Sequence, residues 1–190
     1  MFAPNHHSAM KHAAPVRREL GVRTIFNLLG PLTNPAGAKR QVMGVFDKNL
    51  TAKLAQVLQK LGSEHVLVVH GVDGMDEISL TGDTFVAELK EGKISEYTLN
   101  PTQFGLKIHA LKSIRVENAQ QSKAMILDVL HGKASAGTNS AARDIVLLNA
   151  GAAIYTAGLQ ANIHAGIEHA KKVIDSGEAL AKLEALKAVK

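Results

Sequence analysis

The stretch QVMGVFDKNLTAKLAQVLQKLGSEHVLVV, Gln41 to Val69, decides the fold. Gln41 to Phe46 has the apolar character of a buried strand, and Leu50, Leu54, Val57, Leu58 and Leu61 then return at helical spacing until Gly62 closes the helix. His65 to Val69 is a second apolar strand, rich in β-branched residues. A strand, a helix and a strand in that order predict a right-handed crossover and parallel pairing, which places the chain in the α/β class.

Working outward, Thr84 to Leu89 and Ile94 to Leu99 flank Lys90-Glu91-Gly92-Lys93 and predict a hairpin on one side of that sheet. After Pro101 the pattern turns helical, with a helix expected over Glu117 to Leu130. Asn139 or Ser140 is positioned to cap a long helix through Tyr155, whose Ala141, Ala142, Ala150, Gly151, Ala152 and Ala153 would let neighbouring backbones approach closely. That helix is expected to be central and buried. Ala161 to Lys190 predicts two amphipathic helices split at Ser176-Gly177. On the other side, Ser8 to Leu20 is helical in pattern, interrupted at Pro15 and stopped by Gly21. Thr24 to Pro35 ends in Gly-Pro and Asn-Pro punctuation and predicts a packed connector.

Composition is consistent with this layout. A chain of 190 residues with 46% hydrophobic and 4% aromatic residues must build its core from Ala, Val, Leu and Ile, which suits helices packed on a sheet. There is no Cys, so disulfides and thiolate metal sites are excluded and a cytoplasmic location is expected. No leader pattern and no membrane-length apolar run occurs, so no membrane partner is expected. The net charge of +5 is scattered rather than gathered with stacking aromatics, so no nucleic-acid partner is expected; a noncatalytic module using the basic surface is the alternative of a different class.

The sharpest polar feature is Gly71-Val72-Asp73-Gly74-Met75-Asp76-Glu77, directly after the second strand. Ligands in α/β folds sit beyond the carboxyl ends of strands. Adjacent carboxylates there suit Mg2+, a hard cation that keeps waters and bridges to phosphates. A solvated Gly-Asp turn meets the same spacing, and spacing alone favours it. Arg17 offers a planar fork for a carboxylate, which Lys cannot imitate, although a surface helix arginine has the same look. His6, His7 and His12 lack the one-face spacing of a helical metal pair. Gly30-Pro31 would shape a pocket wall or simply make a turn. No Gly-x-Ser-x-Gly elbow, Walker loop or Gly-x-Gly-x-x-Gly fingerprint is present.

Met10-Lys11-His12-Ala13-Ala14-Pro15-Val16-Arg17-Arg18-Glu19-Leu20-Gly21-Val22-Arg23-Thr24-Ile25-Phe26-Asn27-Leu28-Leu29-Gly30-Pro31-Leu32-Thr33-Asn34-Pro35 resembles the anthranilate phosphoribosyltransferases of tryptophan biosynthesis, as does Gly74-Met75-Asp76-Glu77-Ile78-Ser79. The likeness runs over essentially the whole chain; pyrimidine nucleoside phosphorylases are similar in fold but match these motifs less closely. The resemblance implies a central, mostly parallel sheet flanked by helices, residues 1–21 as the remnant of a discontinuous helical domain, and 22–190 as the main α/β domain. It implies transfer of a phosphoribosyl group from phosphoribosyl pyrophosphate to anthranilate, with release of pyrophosphate and help from Mg2+. Carried over by motif, Arg17 would hold the anthranilate carboxylate, His7 and Met10 would line the acceptor tunnel, and Gly30 and Pro31 would form part of its wall. Asp76 and Glu77 would bind the metal. A homodimer is implied for the intact enzyme. The family's Gly-Thr-Gly-Gly-Asp phosphate loop and Lys-His-Gly-Asn segment do not occur in this sequence, so the chain alone is expected to be the carboxyl-terminal portion of such an enzyme and inactive.

Overall fold

The computed structural model describes residues 26–132 and 140–189, together with Glu19 and Gly21. The chain divides into two compact units, Met1–Ala38 and Lys39–Lys190. In the first, α1 spans Phe26–Leu32 with Pro31 inside it. The sequence predicts a connector over this stretch, and a short helix forms instead. The Gly-Pro pair falls in the helix's last turn, where Pro31 has no N–H to continue the ladder and the helix ends one residue later; the Thr33 amide and hydroxyl then donate to the Gly30 carbonyl at 3.2 and 3.1 Å. The expected helix over Ser8 to Leu20 lies outside the described residues, apart from Glu19, which is helical.

The second unit holds a four-stranded sheet in the order β1-β2-β3-β4. β1 is Arg40–Gly44, β2 His65–Gly71, β3 Thr84–Lys90 and β4 Lys93–Leu99. β1 and β2 pair in parallel across α2, Thr51–Lys60, as the crossover pattern predicts. β2 with β3 and β3 with β4 are antiparallel, so the described sheet is mixed rather than mostly parallel. The α/β layering expected is the layering observed. The β3–β4 turn has Glu91 at φ 50° and Gly92 at φ 73°, the two left-handed positions of the tight turn whose twist matches a hairpin.

β2 is buried on both faces. Leu67 and Val69 join Val86, Leu147, Leu148, Ile167 and Ile174 in the main core. Val66 and Val68, also fully buried, alternate to the opposite face, where α2 packs against β2 and β3 and buries Leu54, Ala55 and Leu58. Each large aliphatic side chain so buried contributes about 1.5–3 kcal/mol of transfer free energy. The wall on the main-core side is α3 (Ala119–Leu130), α4 (Ser140–Thr156) and α5 (Ile163–Asp175), followed by α6 (Glu178–Ala188). α4 is central as expected and buries Ala141, Ala142, Leu147, Leu148, Gly151 and Ala152. α6 departs from the expected amphipathic pattern and buries no residue.

One polar cluster lies inside this wall. Glu88 on β3, 9% exposed, accepts from Tyr155 Oη at 2.6 Å and Tyr97 Oη at 2.9 Å and pairs with His65 Nε2 at 2.8 Å. Burial alone would raise its pKa, but the hydrogen bonds from Tyr155, His65 and Tyr97 outweigh burial and hold the carboxyl below its ordinary value. A depressed folded-state pKa means that this stabilisation is present above the unfolded value and is lost as pH falls through the folded one. Glu88→Gln is therefore expected to cost about 1 kcal/mol at neutral pH. That deficit shrinks as urea melts are repeated at successively lower pH through the ordinary glutamate range and below it. A deficit that stays constant with pH would show that the carboxylate charge plays no part.

Candidate functional site

The loop from Gly71 to Thr81 leaves the carboxyl end of β2, and its shape is set by its own side chains. Asp73 Oδ1 accepts from the Met75 amide at 3.0 Å, and Asp73 Oδ2 accepts from the Ser79 and Thr81 hydroxyls at 2.6 and 2.9 Å. Burial pushes the Asp73 carboxyl up, but the bonds from Ser79, Met75 and Thr81 prevail and hold it below the ordinary carboxylate range. Asp73 thus stays ionised and closes a turn in which Gly74 adopts φ 87°. The Gly71 amide bonds to the Met75 carbonyl at 2.8 Å and finishes the ring.

Three further contacts seat the loop on the body of the unit. Ile78 is 1% exposed; its amide donates to Asn149 Oδ1 at 3.0 Å and its carbonyl accepts from Asn149 Nδ2 at 2.9 Å. The Ser79 amide donates to the buried Thr84 hydroxyl at 2.9 Å. Beneath the loop lies Gly44, where an added Cβ would overlap the carbonyl oxygen and carbon of Asp76. Only a residue without a side chain lets the loop settle this low.

Asp76 and Glu77 stand at the exposed crest of this seat. Solvent reaches both, yet partial burial raises the Glu77 pKa, and repulsion from the neighbouring Asp76 charge raises it further. A cation would relieve that repulsion. Among the described residues no group of three or more His, Cys, Asp or Glu side chains could hold a metal ion. A carboxylate pair by itself would offer oxygen ligands only and would leave most of a coordination sphere to water and ligand oxygens. Oxygen donors of that kind suit a hard cation such as Mg2+.

The other expected site residues fall in the first unit. Gly30 and Pro31 lie in α1 and are exposed; His7, Met10 and Arg17 lie outside the described residues. The residues that sequence reasoning missed are those that seat the loop. Asp73 sits inside the stretch singled out for its carboxylates, but Asn149 and Gly44 carry no local signal: one is an Asn in a helix, the other a Gly ending a strand.

The model of the glycosyl transferase family a/b domain matches residues 1–180. The chain is 65% identical over 189 residues to the anthranilate phosphoribosyltransferase of Methylobacillus flagellatus, covering 100% of this chain and 54% of that one. Among solved structures it is similar to the anthranilate phosphoribosyltransferase of Thermus thermophilus, with a TM-score of 0.83 and 42% identity over 94% of this chain and 51% of that one. It is similar also to the Saccharomyces cerevisiae enzyme in complex with PRPP and Mg, with a TM-score of 0.83 and 32% identity over 94% of this chain and 50% of that one. The chain spans about half the length of the curated relatives it matches.

Proposed function

Since the chain belongs to the glycosyl transferase family through its a/b domain, we propose that it carries the acceptor residues and a magnesium-binding pair of an anthranilate phosphoribosyltransferase. The reaction is transfer of the phosphoribosyl group from phosphoribosyl pyrophosphate to the amine of anthranilate, with release of pyrophosphate. The observation that carries this function is the seated loop that presents Asp76 and Glu77, oxygen donors only, beyond the carboxyl end of β2.

In this proposal Asp76 and Glu77 hold Mg2+ by their carboxylates. The bound metal would neutralise charge on the departing pyrophosphate. Asp73 and the Ile78 backbone keep the two carboxylates from relaxing apart. Arg17 grips the anthranilate carboxylate through its guanidinium fork, His7 and Met10 line the acceptor tunnel, and Gly30 and Pro31 form part of its wall. Rate enhancement would come from positioning and electrostatics, with no covalent intermediate on the protein. We assign residues 1–21 to a discontinuous helical domain and 22–190 to the main α/β domain, with the intact enzyme a cytoplasmic homodimer. Neither Gly-Thr-Gly-Gly-Asp nor Lys-His-Gly-Asn occurs in these 190 residues, so the chain by itself should bind ligands weakly and not turn over.

Calorimetric titration of the chain with anthranilate, with phosphoribosyl pyrophosphate plus Mg2+, and with duplex DNA tests the proposal. A response to the small ligands is expected; salt-sensitive DNA binding without one would replace it with a nucleic-acid module. Robust turnover by the chain alone would refute the need for a phosphate loop. In a full-length relative, replacement by Ala of the arginine equivalent to Arg17 should weaken anthranilate by about 2 kcal/mol, the worth of hydrogen bonds to a charged group, and spare the phosphorylated donor. Equal loss of both ligands would remove Arg17 from its assigned role.

A further inference from the structure

Asn149 stands on α4, and a separation of 71 positions lies between it and Ile78, the loop residue it holds. Its amide is fully committed. Oδ1 accepts from the Ile78 amide at 3.0 Å, while Nδ2 donates to the carbonyls of Ile78 at 2.9 Å and Ile145 at 3.0 Å. A primary amide has two N–H donors, and both are directed at carbonyls here. The orientation is therefore unambiguous, because a flipped amide would set NH2 against the Ile78 N–H and oxygen against two carbonyl oxygens. By engaging both backbone groups of one residue, the side chain acts as a one-residue strand edge. It fixes the peptide planes on either side of Ile78, and hence the direction in which Glu77 leaves the backbone.

The loop's remaining supports do different work. Asp73, Ser79 and Thr81 bond among themselves and to the Met75 amide, which sets the curvature of the turn. Gly44 sets its height. Asn149 alone, among the described side chains bonded to this loop, reaches it from the helical wall. We propose that Asn149 is a positioning residue for Asp76 and Glu77, coupling the aim of the two carboxylates to the seat of α4 through the Ile78 backbone. This rests on the proposal that the pair binds a metal.

Mn2+ with inorganic pyrophosphate serves as the probe, and binding to the chain is read from loss of the free-ion signal in electron paramagnetic resonance. Asn149→Ala removes the clamp; Asn149→Leu removes it while keeping the volume, so a packing void does not decide the result. Thr156→Ala is the stability control. Thr156, 1% exposed, donates to the Ala152 carbonyl at 2.8 Å on the same helix and is not bonded to the loop. Both Asn149 variants are expected to weaken Mn2+ about tenfold, as loss of an outer partner of a metal ligand does. Thr156→Ala should leave affinity unchanged, and Asp76→Asn should weaken it at least as much as either Asn149 variant. If the Asn149 variants bind like the original chain while Asp76→Asn does not, the positioning role is overturned and the metal pair stands. If Thr156→Ala weakens binding equally, the effect is general destabilisation and the role is likewise overturned. If the original chain takes up no Mn2+, or Asp76→Asn changes nothing, the metal assignment falls and takes the positioning role with it.

Discussion

Gly166→Leu lowers the melting temperature of the chain by about 6–12 °C, taking about 3 kcal/mol for an overpacked crossing and about 2–4 °C per kcal/mol at this size. The expectation comes from the contact between α4 and α5. A Cβ at Gly166 would overlap the carbonyl oxygen and carbon of Gly151 and lie 3.1 Å from its Cα; a Cβ at Gly151 would lie 2.6 Å from the Ile167 amide nitrogen. Every obstructing atom facing Gly166 belongs to the backbone, so no rotamer change relieves the clash and the helices must separate. That separation would open the main core around Leu148, Ala152, Ile163 and Ile167, all of which are buried at this crossing or beside it. Thermal melting followed by circular dichroism reads the outcome, and a shift under about 2 °C would mean that the helices sit farther apart than described.

Gly44→Val is expected to lower the Mn2+ affinity of the proposed site by about 100-fold, the upper end for disturbed metal surroundings. At Gly44 the obstruction is again backbone, the Asp76 peptide itself. A valine there must either leave β1, giving up its pairing with Val69, or lift Asp76 off the sheet. The second course strains the Ile78 bonds to Asn149 and the turn closed by Asp73, and the two carboxylates lose their common direction. Titration with Mn2+ and pyrophosphate, alongside protection of the Ile78 amide from hydrogen exchange, distinguishes the courses. Unchanged affinity and unchanged protection together would show that the loop does not rest on Gly44.

The legible parts of the fold are those written in local pattern. The crossover from Arg40 to Gly71, the hairpin at Glu91-Gly92 and the helix through Tyr155 each show a period or a turn signal within a dozen or so residues. α1 is not legible, because Gly30-Pro31 reads as punctuation before an element when it falls in the last turn of one. At the site, Asp76 and Glu77 are visible as a charged pair after a strand. The supports Asn149 and Gly44 are not, because their roles exist only in contacts between segments far apart in the chain. A glycine tolerated for backbone clearance and a glycine placed for a turn are the same letter.

The two halves of the sheet also differ in how far apart in the chain their partners lie. A two-residue turn joins β3 to β4, and such hairpins close in about 1–10 μs. Asn149 must find Ile78 across a separation of 71 positions, which carries the larger loop-closure entropy and waits on docking of the helical wall. On loop-closure grounds the hairpin is expected to form before the acidic crest acquires its final aim. A nascent chain released before α4 is made would hold a formed hairpin and a loop still searching, too loose to sequester a divalent ion.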